Sequence, residues 1–356
     1  MSELWDIDIA PRRRRLTWWW WFWLLFFDGG DRPRQFMVLW STKNARRVKV
    51  DDVWWERIHD IVREDGRITF DGMAASWFFD GEVMHDPLTL VQDSFVVIWD
   101  GDDGSLRSPD GGDHEHIYTA TDGVHHVRVA QGGFDLDVRL EGDGTLGRPD
   151  VKQRVGTPRN GFSILRIKRL RFDGTLTHDG RSEDVTGTAY FQKVMVNAPA
   201  PPWYWGTLHL GDGSYIQYFV PHLGPPMLRR GRRQRSPLNR GGIPVTRSLD
   251  YHEARTGAHH RFRDVRVSRR LVGDLPVFAV RARNGGARID MEIAAYARAL
   301  WRFRQPLIGP LATVLFYNEY PARLTAFEFR QDGRTVGLDD VGGGIGNAEH
   351  SWGLLF

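Results

Sequence analysis

The first long apolar stretch, Leu16 to Phe27, carries no charge and stops at Asp28-Gly29-Gly30-Asp31-Arg32-Pro33. Trp, Phe and Thr favour extended backbone, and a Gly- and Pro-containing polar stretch is a turn signal, so the run predicts a long strand. A second run, Gln35 to Trp40, returns from that turn and predicts a hairpin. In a strand, side chains alternate between faces. Trp18, Trp20, Phe22, Leu24 and Phe26 then point one way, and Trp19, Trp21, Trp23, Leu25 and Phe27 the other. Both faces are apolar, so both are expected to be buried, as in a barrel wall covered on its outside.

The same alternation of runs and turns continues down the chain. Strand-like runs include Phe162–Leu176, Val185–Val196, Trp203–Leu210, Ser214–Pro221, Thr313–Glu319 and Ile345–Trp352, and Asp-Gly pairs at 122, 173, 179, 212 and 332 punctuate the sequence. Helical periodicity is scarce. Trp54, Trp55, Ile58, Ile61 and Val62 predict one short helix, and Ala294 to Leu300 suits either state. Short runs with frequent turn signals predict an all-β sandwich or barrel. Arg12–Arg15 before the apolar run imitates a signal peptide, but no small-residue cleavage site follows. Twelve apolar residues are also too few for a spanning helix, which needs about 20. Residues 16–27 are therefore expected to stay in the folded protein.

A length of 356 residues allows two domains. The clearest break is the Arg-, Pro- and Gly-rich segment 223–242, which suggests domains over 1–222 and 243–356. Its Arg229–Arg235 stretch reads as a solvated linker, with contact to an anionic lipid surface, shared with Arg12–Arg15, as the alternative. Cysteine is absent, which excludes disulfides, thiolate metal sites and cysteine nucleophiles. A cytoplasmic location is the simpler expectation. Forty-eight basic residues face 45 acidic ones, a mixed charge that predicts no nucleic-acid partner. His114 and His116 lack a third ligand, so no metal is expected. No G-x-S-x-G elbow occurs, and Gly342-Gly343-Gly344 lacks the strand-then-helix setting of a phosphate loop. No cofactor is expected.

One ordered series of motifs is specific. Arg171-Phe172-Asp173-Gly174-Thr175-Leu176 is followed by Val185-Thr186-Gly187-Thr188-Ala189-Tyr190-Phe191 and then by Pro202-Trp203-Tyr204-Trp205-Gly206-Thr207-Leu208-His209-Leu210-Gly211-Asp212-Gly213. With the opening Trp-rich hairpin and the closing Gly344-Ile345-Gly346-Asn347-Ala348-Glu349, this series resembles the AttH/carotenoid 1,2-hydratase (hydroxyneurosporene synthase) family of lipocalin-like proteins. The resemblance implies an all-β fold of two consecutive lipocalin-like antiparallel β-barrels and an apolar ligand of polyene or terpenoid type. It also implies hydration, isomerisation or cyclisation of that ligand by acid catalysis. The chain departs from the pattern where chemistry is concerned: the family's Asp-His pair falls on Gln192 and Lys193, and its following Trp on Met195. Glutamine has no proton to give, and a protonated lysine is a poor acid near neutral pH.

If the chain is catalytic, the proton needs another source. Glu349 matches the family's terminal-strand Glu, and Glu319 sits among Phe316, Tyr317 and Tyr320. A carboxyl in aromatic surroundings holds its proton to higher pH and so serves as a donor. Only one of Glu349 and His350 can face a barrel interior, and likewise only one of Gln192 and Lys193, with Lys193 expected outside. Trp18, Trp20, Phe22, Tyr190, Trp203, Tyr204, Trp205 and Tyr218 are the candidate ligand-lining aromatics, through cation–π or apolar contact; core packing explains them equally well. The two function classes are an acid-catalysing enzyme and a non-catalytic carrier of a hydrophobic small molecule.

Overall fold

Strand dominates the chain. The computed structural model describes residues 3–8, 16–109, 112–142, 144–157, 160–224, 243–307 and 311–355. Among these the one helical segment is the 3-10 turn Gly144–Gly147. The two arginine-rich stretches singled out above, Arg12–Arg15 and Arg229–Arg235, lie outside the described residues. No helix among those described is long and apolar enough to cross a membrane.

The chain divides into two compact units, the first running to Pro199 and the second covering Ala200–Leu355 with Glu82–Met84. This division falls before the boundary at residue 222 read from composition. The hairpin Trp203–Leu210/Tyr215–Leu223 explains the difference, because it pairs with Gly344–Gly353 and Ser248–His252 of the C-terminal half. Composition marked a loop after that hairpin; backbone pairing assigns the hairpin itself.

In the first unit ten strands close on themselves. Thr17–Phe27 pairs along its length with Gln35–Lys43 and with Arg181–Asn197. From Gln35–Lys43 the ladder runs through Arg67–Phe79, Met84–Asp100, Asp103–Arg107, His114–Thr121, Val124–Gln131 and Phe134–Gly142. Phe134–Gly142 then pairs with Asn160–His178, the neighbour of Arg181–Asn197, and completes the barrel. Asp122-Gly123 and Asp179-Gly180 make hairpin turns with both residues at positive φ, the geometry whose twist matches the flanking strands. Asp173-Gly174 is not a turn. It lies inside Asn160–His178, where a Cβ on Gly174 would stand 2.1 Å from the Asp137 carbonyl oxygen, so glycine permits a close strand approach there.

Trp19, Trp21, Trp23, Leu25 and Phe27 enter the core of this barrel with Phe70, Tyr118 and Phe191. The other face of the same strand carries Phe22, Leu24 and Phe26, which are also buried. Trp5, near the N-terminus, is buried in the same core. Its ring centroid lies 4.8 Å from that of Tyr118, and its indole donates to the Asp102 carbonyl.

The expected short helix is absent. Trp54 and Trp55 lie in Val53–Glu56, a strand that pairs with Arg47–Val50 through a turn with Asp51 at φ 49°. Ile58 and Val62 are exposed while Trp55 is buried and Ile61 packs against the first core, so these residues share no single helical face, and strand-favouring Val and Trp decide the local structure.

The second unit is one antiparallel sheet curled around its own core. Its ladder runs His259–Phe262, Ser248–His252, Tyr215–Leu223, Trp203–Leu210, Gly344–Gly353, Ala312–Gln331, Ala287–Ala295, Leu275–Asn284 and Asp264–Val272. Ala299–Pro306 adds a further pairing along the first half of Ala312–Gln331. The end strands follow one another in sequence through Arg263, and Phe262 and Val265 enter the same core.

Candidate active site

Register places the chemistry. Across neighbouring strands of the second unit, Trp205 stands opposite Glu349, Glu349 opposite Glu319, and Tyr317 opposite Trp301. Directly paired residues share a face, as do residues two apart on a strand. Trp203, Trp205, Glu349, Glu319, Tyr317 and Trp301 therefore occupy one face. The intervening residues Tyr204, Ala348 and Tyr320 point the other way, into the core.

The two carboxyls meet at one phenol. The Tyr317 hydroxyl lies 2.6 Å from Glu349 Oε1 and 2.7 Å from Glu319 Oε1. Each acid also accepts an indole N–H, Glu349 Oε2 from Trp203 at 2.7 Å and Glu319 Oε2 from Trp301 at 3.1 Å. Indoles only donate, and a phenol has a single hydrogen. Tyr317 can thus donate to one acid only, and its bond to the other requires that acid to carry the proton. The hydrogen-bond inventory by itself assigns a proton to the pair.

Burial agrees. Glu319 is 0% and Glu349 3% exposed, and two charges so close in a dry setting would repel strongly. Desolvation, and then the charge of Glu319, hold the Glu349 carboxyl well above the usual range, while the bonds from Tyr317 and Trp203 pull it partly back. The Tyr317 phenol is raised as well, first by burial and then by the two acids, so it stays protonated. Trp203 and Tyr317 are half-buried, with ring centroids 5.3 Å apart, and form the reachable side of the group. Chemically the arrangement is a carboxylic acid pair holding a proton, with a hydroxyl relay and electron-rich ring faces.

The remaining sequence-selected residues do not line one site. Trp18, Trp20 and Phe22 sit on the face of the first barrel that points away from its core, whereas Trp19, Trp21 and Trp23 fill that core. The apolar runs on both faces of that strand left the choice open. Lys193 stands opposite Trp21 and so points inward, against the expectation of an outward lysine. There it donates to the carbonyls of Glu3 and Asp6, and burial lowers its pKa to about 7. A folded-back N-terminal segment supplies the acceptors that a local reading could not anticipate. Gln192 faces outward and accepts from the Tyr190 hydroxyl at 3.1 Å. Tyr204 and Tyr218 belong to the core of the second unit. Of the residues expected around Glu319, Tyr317 shares its face, whereas Phe316 and Tyr320 alternate to the other.

Tyr317 as a bridge and Trp301 as a partner were not foreseen. The i, i+2 spacing of Tyr317 and Glu319 was a usable signal; Trp301 carried none, since its place depends on strand register. His209 and His222, which flank the Trp203–Leu210/Tyr215–Leu223 hairpin, are buried. His114 bonds Asp93 at 3.0 Å, and no cluster of three metal-ligating side chains occurs among the described residues.

No protein-family model matches the sequence, and neither does any curated protein. Among solved structures the chain is similar to an AttH-type protein of Nitrosomonas europaea, with a TM-score of 0.48 and 16% identity over 95% of this chain and 92% of that one. It is also similar to kievitone hydratase of Nectria haematococca, with a TM-score of 0.45 and 11% identity over 96% and 90% of the two chains. At that distance, what this chain does has to be read from its own residues.

Proposed function

We propose that this protein is an enzyme that protonates a carbon–carbon double bond of an apolar, polyene- or terpenoid-type substrate, hydrating or isomerising it. The observation that carries the reading is the Glu319–Tyr317–Glu349 bridge, which needs a carboxylic proton to be complete. Transfer of that proton to an alkene carbon would leave a carbocation and a carboxylate. The faces of Trp203, Tyr317 and Trp301 suit such a cation, each contact contributing about 0.5–2 kcal/mol. Attack by water on the cation, with its surplus proton returned to the carboxylate, completes hydration. Loss of a neighbouring C–H proton to the same carboxylate completes isomerisation. General-acid steps of this kind are worth about 10²–10⁴ in rate.

The test is incubation of the purified protein with acyclic polyenes and terpenoids in ordinary and heavy water, followed by mass spectrometry. Expected is a product one water heavier, or an isomer with deuterium at carbon, that Glu349→Gln or Glu319→Gln reduces by about 100-fold or more. Full turnover by both variants would refute the assignment. A carrier remains the second reading, supported by Gln192 and Lys193 where the resembled family has its acid. It predicts saturable tryptophan quenching by the same lipids without any product.

A further inference from the structure

Among the described residues of Ala200–Leu355, the exposed large aliphatic side chains are Leu223, Ile243, Val245, Leu271, Val272 and Leu311. Strand register gathers them at one end of the sheet. Leu223 pairs with Ile243, and the Val245 amide donates to the Pro221 carbonyl at 2.8 Å. Pro221 pairs with Trp203, whose neighbour Tyr204 stands opposite His350. Arg269 donates to His350 Nδ1 at 2.7 Å, so the strand Asp264–Val272 reaches this end with its last residues, Leu271 and Val272. Leu311 leads into Leu315, which pairs with Gly353, the last residue of the strand that carries His350. Single apolar residues scattered over a surface mean little, whereas a group of them at one end marks an interaction surface.

Charge is segregated in the same way. The whole chain is nearly balanced, with 48 basic and 45 acidic residues. Between Asp212 and Asp250, however, stand seven arginines and no acid, and between Glu292 and Glu319 three arginines and no acid. These two stretches supply Leu223, Ile243, Val245 and Leu311. Residues 225–242, outside the described residues, hold six of those arginines, and the described chain stops at Gly224, beside Leu223, and resumes at Ile243. Opposing charge at this end comes from Asp274, in the turn after Val272, and from Glu292, which Arg270 reaches at 3.2 Å. The other end of the sheet is mixed, with Asp212, Glu253, Asp339 and Asp340 beside Arg255 and Arg334.

We propose that this end of the second unit docks on an anionic lipid membrane. A lipid surface offers both an apolar interior and a negative face, the two properties that this end combines. The aliphatic side chains enter the interface while the arginines attract the headgroups, and stable anchoring takes two such signals. Docking does not rest on the reaction proposed above. Trp203 lies at this same end, so the reachable side of the acid pair stands at the end that meets the lipid.

The test is flotation of the full-length protein with vesicles of phosphatidylcholine alone, or of phosphatidylcholine and phosphatidylserine in equal parts. Binding to the anionic vesicles is expected to be about tenfold tighter or more than to the neutral ones, and to weaken in high salt. Ile243→Asp and Leu271→Asp should each weaken it about tenfold or more. The joint change Arg229→Gln, Arg230→Gln, Arg232→Gln and Arg233→Gln should do the same. Ile58→Asp, at a position of the first unit exposed to the same 72% as Ile243, should leave binding unchanged. Thermal melting checks that each variant keeps its fold. Equal binding to neutral vesicles, or normal binding by folded Ile243→Asp and Leu271→Asp proteins, would overturn the proposal. So would self-association that Ile243→Asp abolishes, seen by sedimentation without any vesicle binding, since the patch would then join two copies of the chain.

Discussion

A single hydroxyl decides how the two buried acids share their proton. The bonds from Tyr317 and Trp203 lower the Glu349 pKa against the larger effect of burial and of Glu319. Tyr317→Phe removes one of those bonds, so the acid form of Glu349 should persist to higher pH. If the acid form is the active one, the rate is flat at low pH and falls as pH rises through the pair's pKa, and in Tyr317→Phe that fall should move to higher pH. A pH–rate profile of the variant checks this; a fall moving to lower pH would contradict the proton assignment. Trp203→Phe removes the other bond while keeping a ring and should shift the profile in the same direction. Glu319 and Glu349 could be picked out from the sequence as acids in aromatic strands. Their meeting at Tyr317 could not, because it depends on Glu319 falling opposite Glu349 across a ladder whose partners lie 30 residues apart in the chain.

Within single elements, alternation was legible and facing was not. The turn-bounded run at Thr17–Phe27 declares itself a strand with two apolar faces. Which face lines the barrel is decided by strands far along the chain, such as Asn160–His178 and Arg181–Asn197. Apolar side chains on both faces erase the difference that normally orients a strand. Because Trp23 fills the core and packs 4.7 Å from Phe191, Trp23→Ala should destabilise the first unit by about 3–5 kcal/mol. Trp20→Ala, at a half-buried position on the opposite face, should cost clearly less. Chemical denaturation of the two variants checks the assignment of faces, and equal losses would refute it. Gly174 offers a backbone test at the same scale. A side chain there would meet the Asp137 carbonyl oxygen, so Gly174→Val should destabilise by at least about 1–3 kcal/mol, although valine is the better strand former.

For the molecule as a whole, buried basic groups tie stability to pH. His116 and His125 have pKa values lowered by burial to about 4, below the value of about 6.5 in an unfolded chain. Between those limits the unfolded chain binds protons that the folded one refuses, so stability should fall as pH drops from about 6.5 to 4. Lys43 and Lys193 are lowered by burial to about 7, so their contribution to stability should rise with pH from about 7 to 10. Glu349, raised by burial, works in the opposite sense. The informative quantity is therefore a difference. Lys43→Met, which keeps an apolar chain over the Trp18 ring, should be more stable than the parent at pH 7, with the advantage shrinking toward pH 10. Denaturation midpoints measured across that range check it, and a constant difference would show that Lys43 is not held near neutrality. Strand Gly344–Gly353 has a further consequence at this scale. Its odd-numbered Glu349 serves the acid pair and its even-numbered His350 is buried on the opposite face beside Arg269, so two unlike surroundings share a single backbone as their partition. Deleting one residue from this strand would exchange the faces, driving a carboxyl toward Arg269 and an imidazole toward the acids. Variation in the length of this strand is thus closed to the protein: either surrounding can be altered by substitution alone, and both are lost together when the count of residues changes.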